Sequence, residues 1–219
     1  MPNSSPVTIV CLPQATPVDA LESTAAALLP AASAPSLVPY FRTSRRLFTG
    51  KLLHACKHTA AGGPLGLLDL DAMAAAGRAC YYHRSVVWHQ VITQTKAAQP
   101  FWTFLDRHLA DPKKYTLQQA QQGYLAQPRI AAMRTYNLLP NRVMDLPTDH
   151  LEAFQAGLDT YTHLGGLTAV PANSLITANG HHLKPTTGRL SDLLTFLDRA
   201  HTYLRTLTST HPLVALTGN

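Results

Sequence analysis

The longest stretch of helical periodicity runs over residues 70–98. There Cys80, Tyr81, Val87, Trp88, Val91 and Ile92 recur on one broad seam at 3.6-residue spacing. The opposite side carries Tyr82, Val86, His89 and Thr93, and the charges that follow Asp71 in this stretch are Arg78, Arg84 and Lys96. A helix that is apolar on most sides belongs in the middle of a helical domain. Residues from about 72 to 97 are therefore expected to form a central helix, jointed at Gly77.

Other elements follow from punctuation. Residues 7–12 are β-branched and apolar, and read as a lone strand or an extended arm packed on helices. Thr16-Pro17-Val18-Asp19 offers a capped start for a helix that runs to about Leu29 and is stopped by Pro30. The connector at 31–39 is the best boundary, giving an N-terminal arm and first helix over 1–39 and a single helical domain over 40–219. Residues 40–61 read as a second helix, with Phe41, Leu47, Phe48, Leu52 and Leu53 apolar and Gly62-Gly63-Pro64 closing it. Gly50 weakens its middle by about 1 kcal/mol relative to Ala.

Shorter helices are expected over 100–110, 117–126 and 129–139, then from a Thr148 cap to His163, where Gly165-Gly166 ends it, and over 191–208. Asn179-Gly180, between two short apolar runs, predicts a hairpin over about 174–184. The end of the chain reads as short and polar. The expected fold class is mainly α: a multi-helix bundle around the central helix, with one small β-hairpin.

Composition narrows the picture. Hydrophobic residues make up 46% of the 219, enough for a core, while charged residues are only 14%. So thin a surface charge suits self-packing, and self-association is a partner expectation. The net charge of +6 is uneven. Between residues 23 and 105 eight Lys or Arg face only Asp69 and Asp71, a field that favours anionic partners. Cys11, Cys56 and Cys80 are too few and scattered for a disulfide framework. The N-terminus has no recognisable signal peptide, and no apolar run of about 18 residues predicts a membrane span. A cytoplasmic protein, or one within an assembled particle, is expected.

Two constellations point towards nucleic acid. Tyr40, Phe41 and Phe48 are interleaved with Arg42, Arg45 and Arg46, with Lys51 and Lys57 following, a mixture suited to phosphate contacts and base stacking. Residues 116–137 are similar to a helix-turn-helix: Ala120 is small at the crossing, and Ile130 and Met133 face inward. Gln127, Arg129 and Arg134 would then face bases or phosphates. The turn glycine is displaced to Gly123 and Pro128 opens the second helix, which departs from that motif. Arg84, on the central seam, demands a carboxylate from another helix or a phosphate ligand.

A third constellation points elsewhere. On a helix, His54 and His58 stand at i, i+4 and could hold a transition metal or haem with His83 as a third ligand, although the HExxH base is absent. No P-loop, GxGxxG after a strand, GxSxG elbow or kinase signature occurs. The leading expectation is a non-enzymatic nucleic-acid-binding or nucleic-acid-organising protein without a cofactor, using Arg42, Arg45, Arg46, Lys51, Lys57, Arg84, Arg129 and Arg134. The alternative is a helical haem- or metal-dependent enzyme using His54, His58 and His83.

Overall fold

The computed structural model describes residues 6–29, 35–44 and 50–218. The chain is largely helical, as its periodicity predicts, but it also builds a six-stranded sheet. The described residues divide into two compact units. Unit 1 holds those up to Gly77, Gly166–Thr186 and those from Asp192 on. Unit 2 holds Arg78–Gly165 and Thr187–Ser191.

The sheet of unit 1 is centred on β1 (Val7–Cys11). Its neighbours are β6 (Ser174–Ile176), running parallel, and β8 (Pro212–Thr217), running antiparallel, with Val10 opposite Ile176 on one side and Val214 on the other. The free edge of β8 is shared by β2 (Ser36–Leu37) near its end and β5 (Gly62–Pro64) near its start. Ile9 to Leu12 and Leu213 to Leu216 are at most 1% exposed. Strands covered on both faces read as continuous apolar runs, which is what VTIVCL and PLVALT are. One face is covered by α1 (Leu21–Ala27), reached through a 3₁₀ turn at Val18–Ala20. Leu21 and Ala25 join Val10, Leu12, Ile176, Val214 and Leu216 in one cluster.

The stretch 7–12 is the middle of the sheet and not a lone arm, and the chain end, read as short and polar, supplies the longest strand. Both owe their burial to partners more than 160 residues away, which local pattern does not reveal. Residues 40–61 are not a helix where they are described. Phe41–Arg42 (β3) pairs with Thr59–Ala60 (β4), and His54 and Lys57 adopt left-handed backbone with φ of 46° and 52°. Left-handed residues end a right-handed helix.

The expected central helix exists as α2 (Leu70–Val91), but it is not sheathed on all sides. Ser85 and Trp88 are buried, whereas Tyr82 is 45% and Val86 40% exposed, with Cys80, His83 and His89 also on the surface. Tyr and His carry polar tips that tolerate water, so apolar composition overstated its burial.

In unit 2 the predicted short helices appear as α3 (Phe101–Ala110), α4 (Leu117–Leu125) and α5 (Pro128–Asn137). Thr116 and Gln119 form a capping box at the start of α4. Ala120, Ile130 and Met133 are fully buried, as the pattern predicts. Gly123 lies against Phe104: a Cβ there would sit 3.1 Å from its ring, so the glycine serves the α3–α4 approach and not the turn.

The helix expected from Thr148 to His163 is broken in two. Pro147, not Thr148, precedes a 3₁₀ turn at Thr148–His150. Then α6 (Leu151–Gln155) ends before Gly157, whose φ is 105°, and α7 (Leu158–Thr168) continues through Gly165-Gly166. The hairpin is present: β6 pairs antiparallel with β7 (His182–Leu183), and Gly180 takes a φ of 78°. The last helix, α8 (Leu190–Thr206), buries Phe196, Leu197, Ala200 and Leu204. No helix among the described residues is long and apolar enough to cross a membrane.

Candidate functional site

The cations expected to meet an anion fall into two groups. In unit 1, Phe41 is buried, so alternation along β3 turns Arg42 outward. The chain returns to β4 through a tight turn in which Cys56 and Thr59 exchange backbone hydrogen bonds of 2.8 and 2.9 Å, leaving Lys57 at the tip. Arg42, Lys51 and Lys57 are exposed, and among the described residues none has a carboxylate partner. No acidic residue occurs between Glu22 and Asp69. Arg45 and Arg46 lie outside the described residues.

In unit 2 most of the expected cations are engaged internally. Arg129 donates from Nε to Thr95 Oγ1 (3.1 Å), from Nη1 to Gln155 Oε1 (2.7 Å) and from Nη2 to the Thr95 carbonyl (2.9 Å). Its guanidinium also lies 5.5 Å from the centre of the Trp88 ring. Gln127 is paired with the Gln99 backbone, accepting from its N–H at 2.6 Å and donating to its carbonyl at 2.9 Å. Of the three side chains expected to face bases, only Arg134 is exposed. The helix pair is present, but two of its three reading residues, Gln127 and Arg129, are engaged within the protein.

Arg84 has no carboxylate partner among the described residues. It is half-buried and donates to the Tyr161 hydroxyl, while its charge lies 5.2 Å from the centre of the Tyr81 ring. Tyr161 is fully buried and its hydroxyl is 2.9 Å from His150 Nδ1. With Arg84 donating to the phenol oxygen, the phenol proton goes to His150. Tyr161 also stacks on Phe154 at 4.1 Å, and Phe154 on Trp88 at 5.0 Å. Burial holds the Tyr161 phenol well above its usual range against the opposing pull of Arg84. Burial also lowers the His150 pKa, with Arg84 adding to the effect and Asp149 opposing it. The trio is thus a charged guanidinium, a neutral phenol and a neutral imidazole, sealed by aromatic rings. The trio links α2 to the 150–161 segment.

This arrangement has a pH consequence. Because folding lowers the His150 pKa below 6.5, the unfolded chain binds more protons through that window. The stability contribution is complete above the unfolded pKa and is lost as pH falls through the folded one. Urea titrations of wild type and H150N at pH 7 and pH 5 are expected to show the smaller pH-dependent loss in the variant. An equal loss in both would show that the imidazole is not held neutral.

The metal constellation is not assembled. His54 is a left-handed turn residue and His58 lies beyond a second one, so they share no helix face. His83 is exposed on α2. Among the described residues, no group of three or more His, Cys, Asp or Glu side chains is placed to hold a metal ion. Burial raises the Cys11 thiol to about 12, so it is unreactive, while Cys56 and Cys80 are free and exposed.

Sequence reasoning passed over a cleft in unit 1, of about 480 Å³, whose mainly apolar lining also carries Gln14, Lys51, Ser209 and Thr210. Its one legible signal was the hydroxyl-rich run Thr208-Ser209-Thr210 before His211-Pro212. On fold and site the molecule is a mixed helix-and-sheet protein whose described residues expose Arg42, Lys51 and Lys57. Comparison with known proteins adds no relative: no protein-family model, curated protein or solved structure matches the chain.

Proposed function

We propose that the protein is a non-enzymatic nucleic-acid-binding protein that holds the phosphate backbone through the exposed cations of residues 42–57. The observation that carries this reading is that Arg42, Lys51 and Lys57 are exposed without carboxylate partners among the described residues, in a stretch with no acidic residue. Phosphate neutralisation with release of counterions needs such uncompensated charge and little else. Binding is expected to be indifferent to sequence, because the two side chains best suited to base edges, Gln127 and Arg129, are engaged within the protein.

The test is the salt dependence of binding to a labelled 30-base-pair duplex, read by fluorescence anisotropy. Each phosphate contact contributes about 0.9 to the slope of log K against log salt. The variant R42Q/K51Q/K57Q should therefore lose about 2 to 3 from that slope. Binding with an unchanged slope, or no wild-type binding at low salt, would refute the reading.

A further inference from the structure

The cleft beside Lys51 has chemistry of its own. It opens where β1 ends and β8 begins, between the loop after Leu12 and the loop before Pro212. Its volume of about 480 Å³ lies within the range of metabolite sites and is far too small for a duplex. Val18 and Leu67 contribute apolar surface, and among the described lining residues Lys51 carries the single formal charge, with no carboxylate.

The polar wall is held in place by bonds that leave donors over. The Gln14 amide donates to the Thr208 and Thr210 hydroxyls, and the Thr208 backbone N–H donates to His211 Nδ1 at 3.0 Å. That nitrogen is therefore an acceptor, so the Thr208 hydroxyl, 2.8 Å away, donates to it as well. The Thr210 hydroxyl accepts from Gln14 and gives its own proton to Thr208 Oγ1 at 3.0 Å, so it holds the wall in place without facing a ligand. Gly66 fixes the other side: its N–H donates to the Ser209 carbonyl at 2.8 Å, and a Cβ would meet the Ser209 Cβ at 3.0 Å. Neither the Ser209 hydroxyl nor the Lys51 ammonium has a hydrogen-bond partner among the described residues.

We propose that this cleft binds a small phosphomonoester with an apolar or aromatic body. The Ser209 hydroxyl and the point-charge ammonium of Lys51 suit a tetrahedral dianion, whereas a planar carboxylate is better matched by an arginine fork, of which there is none among the described lining residues. The apolar side chains take the ester's body. Because the loop is already tied down by Gln14, Gly66 and His211, little ordering is lost on binding.

Calorimetric titration of the full chain at 150 mM KCl tests this with phenyl phosphate, 1-naphthyl phosphate and 5′-AMP, against phenol and inorganic phosphate as half-ligands. At least one phosphomonoester should bind saturably, tighter than about 1 mM, and more tightly than either half-ligand. S209A should weaken it about tenfold, the worth of a hydrogen bond to a charged group, and K51Q by at least as much. S209A removes no charge and should leave the salt slope on duplex DNA unaltered, so this site and the polyanion surface fail separately. Absence of saturable binding by all three esters would overturn the proposal, as would binding that S209A does not weaken or that a half-ligand equals.

Discussion

Replacing Gly62 by alanine is expected to destabilise unit 1 by about 3 kcal/mol, the upper end of what overpacking usually costs. A Cβ at this position would stand 2.5 Å from the Leu213 carbonyl oxygen and 3.1 Å from the Val214 Cα. Both are backbone atoms of a buried strand, so no side chain can swing aside to make room. The backbones of β5 and β8 would have to separate where Gly62 pairs with Val214. The neighbouring bonds, from Ala215 N–H to the Ala61 carbonyl and from Leu53 N–H to the Gly62 carbonyl, both 2.8 Å, would lengthen with them. Gly50 is the control. Nothing lies within 4 Å of a Cβ there and its backbone is not left-handed, so G50A should stay within about 1 kcal/mol of wild type. Urea unfolding separates the two, and hydrogen exchange of the β8 amides should report the damage locally. A G62A protein as stable as wild type would mean that β5 does not pair with β8.

The second large effect is at Arg129. R129M should lower stability by about 2 to 4 kcal/mol, because it removes three hydrogen bonds from a charged donor and leaves the Thr95 carbonyl without one. Methionine keeps much of the aliphatic contact with Trp88, so the loss reports the hydrogen bonds more than packing. R134M, at an exposed position, should change stability by no more than about 0.5 kcal/mol. In duplex binding at a temperature where R129M is folded, its salt slope should match wild type, in contrast to R42Q/K51Q/K57Q. A slope that falls by about 0.9 in R129M would instead place this arginine on a phosphate.

Arg129 also shows why sequence reading overreached in unit 2. Helical spacing placed Ala120, Ile130 and Met133 inward, and all three are buried. The same spacing placed Arg129 outward, because charge prefers water. Thr95 and Gln155, distant in sequence, offer it enough acceptors to turn in. The cations of 42–57 were legible because nothing nearby could neutralise them. Their supporting structure was not, since the apolar spacing of 40–61 fits a helix while His54 and Lys57 take left-handed backbone.

By itself the sequence determined the elements whose signals are local: the short helices α3, α4 and α5, the last helix, the hairpin at Asn179-Gly180 and the acid-free basic stretch. Caps, prolines, glycines and near-neighbour spacing act within a few residues and can be read there. Only the tertiary structure decided that 7–12 and 212–217 lie side by side at the centre of a sheet. Only it decided that Arg84 meets a phenol, and that Gln14 and Thr210 bound one cleft. Each of these depends on partners far apart in the chain, whose meeting is set by which apolar surfaces can be buried together, and no local pattern encodes it.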